Sequence, residues 1–588
     1  MSDVTQLSDE FLFDHATTSA QDPIKISRGK TIVPVIDLQQ GSYTSGIVSI
    51  DATNQLSGAK GYASLSEAYI TVPYVVTLNN GVGALTSTPA NISQFVGGLK
   101  CNTASVIDRI QIELGGKTLV TPISYLSHWN NLRALTEWSD SDIKTHGASA
   151  MMFPDDVVSI GFNNTTNAAG DGYINNSNNV AAVLAATNTA LVEYPVNSGF
   201  VKRQLCNPMV ISSNGVPINS VGWASTGANA IKSLTTSSGK GAIVVGSGVA
   251  SGNVITFYYM LRIRLVDIHP IFKTLDLCAN PALKLTVYFN TGSSIINVDA
   301  SKNMSLGSVS IVQGNVCPFM LSSATSGSGM SSVLSTNAST LNLAWGVCQN
   351  TLTSTATAAS YYPYSTTRLW IPFYDLLPEK ELELIKYPKK VCRYLDVATQ
   401  IAKNLTGAAV STTGALNANF GIQMSGSQKN LKYVALMPFA SSSVSGTTGN
   451  FSTITNIDQA MSPFDSAPWT CQPGSNITNF QVQVGNQNVF NNPISYDFSG
   501  FLDEFQKISS LYGGMSHQLG CGLIDEDKWS YGQRIMLADV SRITSKDVPQ
   551  SVLVSGTNAS SQPSDFILLS VYEKAFSVDR ITGEVEVL

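Results

Sequence analysis

Along residues 110–114 apolar and polar side chains alternate, Ile110-Gln111-Ile112-Glu113-Leu114, which is the period of a half-buried strand. Gly115-Gly116 follow as turn formers that tolerate positive φ, and a second short strand ends at Pro122, which removes a ladder donor. The period then becomes helical, with Leu126, Trp129, Leu132, Leu135 and Trp138 on one face. The chain writes this unit twice. Residues 480–484 alternate in the same way, Gly485-Asn486 make the turn, and Pro493 ends the second strand. Phe498, Phe501, Leu502, Phe505, Ile508 and Leu511 then share a helical face. Ile107–Trp138 and Asn479–Leu511 are therefore each expected to form a hairpin followed by a short amphipathic helix across a barrel end. A repeat of this kind decides the fold, so it comes before any local assignment.

Four shorter echoes run in the same order through both halves. Val33–Leu38 echoes Ile371–Leu376, Tyr69–Tyr74 echoes Tyr433–Phe439, Arg262–Ile268 echoes Arg534–Val540, and Leu285–Tyr288 echoes Leu569–Tyr572. Together they predict two similar β domains in tandem. Residues 1–30 lack strand periodicity and read as an N-terminal arm, the kind of segment a neighbour orders. The first domain is expected over 31–290, a connector over 291–365 and the second domain over 366–588. Within the connector, Val309–Val312 and Leu341–Val347 look strand-like.

The halves differ in one respect. Tyr125 and Arg262 are 137 positions apart, whereas Tyr496 and Arg534 are 38 apart, so the first half holds about 99 extra residues. These lie at about 147–255 and are rich in Asn, Ser, Thr, Gly and Ala. Structureless loops of that length are uncommon in compact domains, so an outward tower with its own hairpins is expected, with strands at Ile243–Val249 and Val254–Met260.

Composition supports an all-β chain. Charged residues are 13% of the 588, about half the globular share of roughly 25%, and turn and polar-strand residues take their place. A surface this poor in charge is unusual for a free monomer and points to coverage by neighbours. Net charge is −6, and Asp3, Asp9, Glu10, Asp14 and Asp22 occupy the first 24 residues without one Lys or Arg. A basic arm for neutralising nucleic acid is missing, and no sequence-specific nucleic-acid binding is expected. No apolar run reaches membrane-spanning length and no secretory signal opens the chain, so neither membrane insertion nor secretion is expected. The sequons at Asn163 and Asn476 then follow from composition alone.

Candidate chemistry is sparse. The cysteines, 101, 206, 278, 317, 348, 392, 471 and 521, form no CxxC or Cys/His ligand spacing and read as buried small hydrophobes in a reducing compartment. His15, His128, His146, His269 and His517 are dispersed and read as structural or surface residues. Asp155-Asp156 after Pro154 reads as a turn or helix start, and Gly246-Ser247-Gly248 as turn chemistry. Glu379–Glu383 with Lys386, Lys389 and Lys390 reads as a solvated loop or helix. No catalytic residue, cofactor site or metal site is assigned.

Several stretches resemble one family. They are Gly98-Leu99-Lys100 leading into Ile107–Gly116, Leu132–Asp142 with Phe153-Pro154-Asp155, and Leu369–Asp375. Ser462-Pro463-Phe464 and Asn479–Phe490 with Ser499–Phe505 complete the set. In order and spacing they resemble the double jelly-roll major capsid proteins of the polinton-like virus, polinton and virophage group, akin to adenovirus-type hexons. The resemblance implies two eight-stranded sandwiches and a homotrimer whose six barrels form a pseudo-hexameric capsomer tiling an icosahedral shell. It also implies a location in the virion, a separate single jelly-roll penton protein at the vertices, and minor or cement proteins. Two other classes compete. One is a β-sandwich receptor- or glycan-binding adhesion protein, suggested by loops such as Tyr361–Tyr364. The other is an enzyme on a cupin-like scaffold, disfavoured by the scattered histidines.

Overall fold

The computed structural model describes residues 26–39, 45–80, 95–155, 254–279, 281–298, 304–323, 340–347, 366–407, 418–441, 458–463, 466–472, 475–509, 522–545, 547–560 and 563–588, with short pieces between them. The first unit has eight principal strands. They are β1 (Ser27–Ile36), β2 (Ile47–Asp51), β3 (Tyr69–Asn80), β4 (Ile107–Leu114), β5 (Lys117–Val120), β6 (Val254–Arg264), β7 (Leu283–Phe289) and β8 (Arg368–Leu376). The second unit repeats the series as β9 (Lys389–Leu405), β10 (Asn419–Gln423), β11 (Leu431–Ala440), β12 (Ile477–Val484), β13 (Gln487–Asn488), β14 (Met536–Asp539), β15 (Val552–Asn558) and β16 (Ser564–Asp579).

Pairing is antiparallel throughout and identical in the two units. One sheet runs β1-β8-β3-β6 and its counterpart β9-β16-β11-β14. The facing sheet runs β2-β7-β4-β5, matched by β10-β15-β12-β13. First, eighth, third and sixth strands in one sheet, and second, seventh, fourth and fifth in the other, define a jelly roll. The chain is a double jelly roll. The alternation read from sequence holds where the sheets face each other: Ile110, Ile112 and Leu114 are buried, while Gln111 and Glu113 are half-buried. On β7, Leu283, Leu285, Val287 and Phe289 are buried and Lys284 is exposed.

Three expectations change. Arg368–Leu376 does not open the second unit. It is the last strand of the first, lying between β1 on one side and β3 and Tyr62–Ser64 on the other. Pro372, which has no N–H to give, falls where that second neighbour changes from β3 to Tyr62–Ser64. Residues 291–365 are accordingly not a connector between units but an insertion between β7 and β8. Strands Thr291–Val298, Met304–Gln313 and Thr340–Val347 extend the first sheet beyond the upper half of β3. The link between the units is short and contains α3 (Pro378–Lys386), which has no buried residue, as its charge pattern implied. The expected arm also ends earlier than residue 30, because Ser27 already joins β1. Residues 1–25 and most of the expected tower lie outside the described residues; the described parts of the tower include 147–155, Val210–Ile211 paired with Pro217–Ile218, and Ala242–Val245 paired with β6.

Strand direction sorts the loops into two ends. The C-terminal ends of the odd-numbered strands of the first unit, Ile36, Asn80, Val120 and Phe289, lie at one end. The Gly115-Gly116 and Gly485 turns, α3 and the strand Val585–Val587 sit at the opposite end, called the base here. Gly115, Gly116 and Gly485 have φ of +56°, +74° and +58°, which glycine adopts without a Cβ penalty.

Candidate assembly site

Among the described residues no side-chain cluster gathers chemistry in one cleft, so the geometry they offer lies in how the two sandwiches are joined and in which surfaces they leave open. The join is built first from α1 (Leu126–Glu137), one of the two helices that the repeat predicted. Its stripe Leu126, Trp129, Leu132 and Leu135 is buried. Trp129 reaches into the second unit, where its Nε1–H donates to the Tyr433 hydroxyl of β11 at 3.1 Å. The His128 ring packs edge-on against Phe439 with centroids 5.3 Å apart. The partner helix of the repeat, α4 (Phe498–Ser509), buries Phe501, Phe505 and Ile508. The backbone N–H of Leu523 donates to Leu135 O at 2.8 Å, tying the end of α1 to the second unit.

Polar side chains complete the join by satisfying backbone carbonyls across it. Lys100 is fully buried, and its Nζ donates to Ala460 O at 3.1 Å and Ala467 O at 2.9 Å. Tyr394 OH donates to Leu119 O at 2.7 Å, Thr399 Oγ1 to Ser124 O at 2.8 Å, and Lys390 Nζ to Thr274 O at 2.7 Å. Left unsatisfied, each buried carbonyl would cost about 1–3 kcal/mol. The join is therefore specified by geometry as well as by apolar area.

An ionic centre of the join is Asp396 on β9. The carboxylate is 1% exposed, receives Lys574 Nζ at 2.6 Å, and lies 3.5 Å from His269 Nε2. His269 Nδ1 accepts the Ile271 N–H at 3.2 Å, so the neutral ring carries its proton on Nε2, toward Asp396. Burial acts to raise the Asp396 pKa, but His269 and Lys574 outweigh it and the net shift is downward. Burial in turn lowers the His269 pKa, with Asp396 opposing. His128 is pushed down to about 3, by burial and then by the charge of Lys100.

His128 and His269, expected to be structural or surface residues, both line this join, while His146 is exposed; His15 and His517 lie outside the described residues. Asp155 does more than start a turn. It is buried and paired at 2.7 Å with Arg203, which also donates to Leu99 O at 2.7 Å. No local signal marks that pair, because 48 residues separate the partners. Cys101, Cys278, Cys317, Cys392 and Cys471 are buried, and burial raises the Cys317 thiol to about 11. Cys206, Cys348, Cys521, Gly246–Gly248 and Tyr361–Tyr364 are outside the described residues. Among the described residues no group of three or more His, Cys, Asp or Glu is placed to hold a metal ion, and no helix is long and apolar enough to cross a membrane.

The open surfaces are edges. Among the described strands β1 pairs only with β8, and it exposes Ile32 and Ile36, with Ile26 and Leu38 exposed at its two ends. Among the described strands 304–313 is the edge at the other end of the same sheet, and it exposes Ile311 and Val312. Long apolar edges invite pairing with another chain.

No family model matches this chain, and no curated protein does. Solved structures are similar to it in fold. A chain of the Sputnik virophage structure is covered over 93% of its length by 97% of this chain, at 11% identity and a TM-score of 0.46. The mavirus major capsid protein matches over 92% of its length and 97% of this chain, at 10% identity and a TM-score of 0.38. The Faustovirus major capsid protein matches over 92% of its length and 95% of this chain, at 8% identity and a TM-score of 0.41.

Proposed function

We propose that this chain is a viral major capsid protein, a structural and non-enzymatic component of the virion shell. One observation carries the reading: a single chain holds two jelly rolls of identical strand order, locked together by a buried join. Three such chains bring six similar sandwiches into one ring, which fills a hexagonal lattice position with only threefold symmetry. The charge-poor composition and the apolar edges at β1 and 304–313 suit a protein whose sides are covered by copies of itself. The long insertions leave from one end of the first unit, which suits an outward face. A ring of threefold symmetry does not fill the fivefold vertices of such a shell, which need a different protein, in keeping with a separate penton protein, and minor proteins would contact the base. Electron microscopy of the purified chain at high concentration tests the reading. Hexagonal tiles or closed shells are expected; dispersed particles of single-chain size that bind a glycan surface would support the adhesion alternative instead.

A further inference from the structure

At the base, between the two units, lies an open cleft of about 960 Å³. Leu119 of the first unit and Tyr394, Pro549 and Tyr572 of the second form part of its lining. Three apolar side chains on its walls face solvent: Val391 is 58% exposed, Val587 59% and Leu588 65%. Arg393, Lys429, Lys432 and Lys574 line it with two acidic side chains, Asp547 and Glu573, and Lys574 is already paired with Asp396 at 2.6 Å. Glu573 is already held between Arg393 at 3.5 Å and Lys432 at 3.2 Å. The chemistry that fits is an extended acidic segment with apolar anchors.

The chain contains such a segment. Residues 1–24 carry five carboxylates and no Lys or Arg, and Asp9-Glu10-Phe11-Leu12-Phe13-Asp14 sets three large apolar side chains between acids. The described structure begins beside the cleft's own approach: Leu377 N–H donates to Ile26 O at 3.0 Å, and α3 leads from Leu377 toward Val391. Helix rise and extended-chain reach put Leu377 and Val391 at most about 30 Å apart. The residues from Phe13 to Ile26 reach about 40 Å when extended. A tether of that length keeps the segment at a high effective concentration over the cleft of its own chain.

We propose that Asp9–Asp14 docks in the base cleft of the same chain, with Phe11 and Phe13 covering Val391, Val587 and Leu588 and the acids meeting Arg393, Lys429 and Lys432. This inference is independent of the capsid reading. It is tested on the full-length chain by carbodiimide cross-linking in a mixture of isotopically light and heavy protein, read by mass spectrometry. Links from Asp9, Glu10 or Asp14 to Lys429 or Lys432 are expected within single-isotope species. They should fall at least tenfold in Val391→Asp/Arg393→Glu, a charge-reversed variant that keeps both reacting amines. No such links, mixed light–heavy links in the proportion random pairing gives, or links that persist in the charge-reversed variant would overturn the proposal. Hydrogen exchange gives a second reading that does not alter the folded units. Asp9→Asn/Glu10→Gln/Asp14→Asn together with Phe11→Ser/Phe13→Ser should speed exchange at residues 427–432 and 585–588, and unchanged exchange would also overturn it.

Discussion

Trp129 and Tyr433 belong to different jelly rolls, yet the indole N–H of one donates to the hydroxyl of the other at 3.1 Å in a fully buried setting. The contact joins the repeated helix of the first unit to the third strand of the second. Tyr433→Phe leaves the indole N–H without this acceptor, at a cost of about 1–3 kcal/mol. The expected outcome is a melting temperature a few degrees lower with the secondary structure unchanged. An unshifted transition would show that the contact does not couple the units.

Lys574 and Asp396 form a pair in which only the lysine touches solvent appreciably. Lys574→Met strands a buried carboxylate and should destabilise the chain by about 3–5 kcal/mol. Adding Asp396→Leu removes the stranded charge and should recover most of that loss. Chemical denaturation of the two variants checks this, and equal destabilisation by the single and double variants would refute it.

The histidines of the join set an acid limit. An unfolded His titrates near 6.5, and folded His128 is held down to about 3. Between those values the unfolded chain binds the proton and the folded chain does not. Stability is therefore complete above about pH 6.5 and falls as pH drops toward 3, by up to about 1.4 kcal/mol per pH unit for this one group. His269 is shifted in the same direction. His128→Phe should flatten the acid limb of a stability–pH profile, and parallel limbs for variant and parent would count against the assignment.

Gly522 has φ +68°, and a Cβ there would stand 2.4 Å from Leu135 O, beside the 2.8 Å bond from Leu523 N–H to the same oxygen. Gly522→Ala should cost more than about 1 kcal/mol, through both positive φ and displacement of α1. A thermal scan showing no loss would mean the join yields there.

These relationships divide what the sequence carries from what it does not. The hairpin-and-helix unit was legible because the switch from period 2 to period 3.6 at Pro122 and Pro493 is rare and appears twice in register. The echoes of Tyr69 with Tyr433 and of Arg262 with Arg534 also fall on equivalent strands, β3 with β11 and β6 with β14. Two other echoes do not. Val33 and Ile371 sit opposite each other in one antiparallel ladder, and Leu285 lies on a seventh strand while Leu569 lies on an eighth. Short apolar strands share an alphabet whatever their place in a sheet, so similarity alone does not assign position. The boundary near 366 was misplaced because the insertion after β7 carries the last strand of the first unit far from its partners in sequence. The join itself was not legible. Lys100, Asp396 and His269 look like isolated residues until the two sandwiches are set side by side.

The central claim is that this chain assembles with itself into a threefold ring. Native mass of the purified chain, by mass photometry across a dilution series, tests it most directly. The account predicts a species near three times the 62.5 kDa chain mass that survives dilution. A monomer stable at every concentration would contradict it.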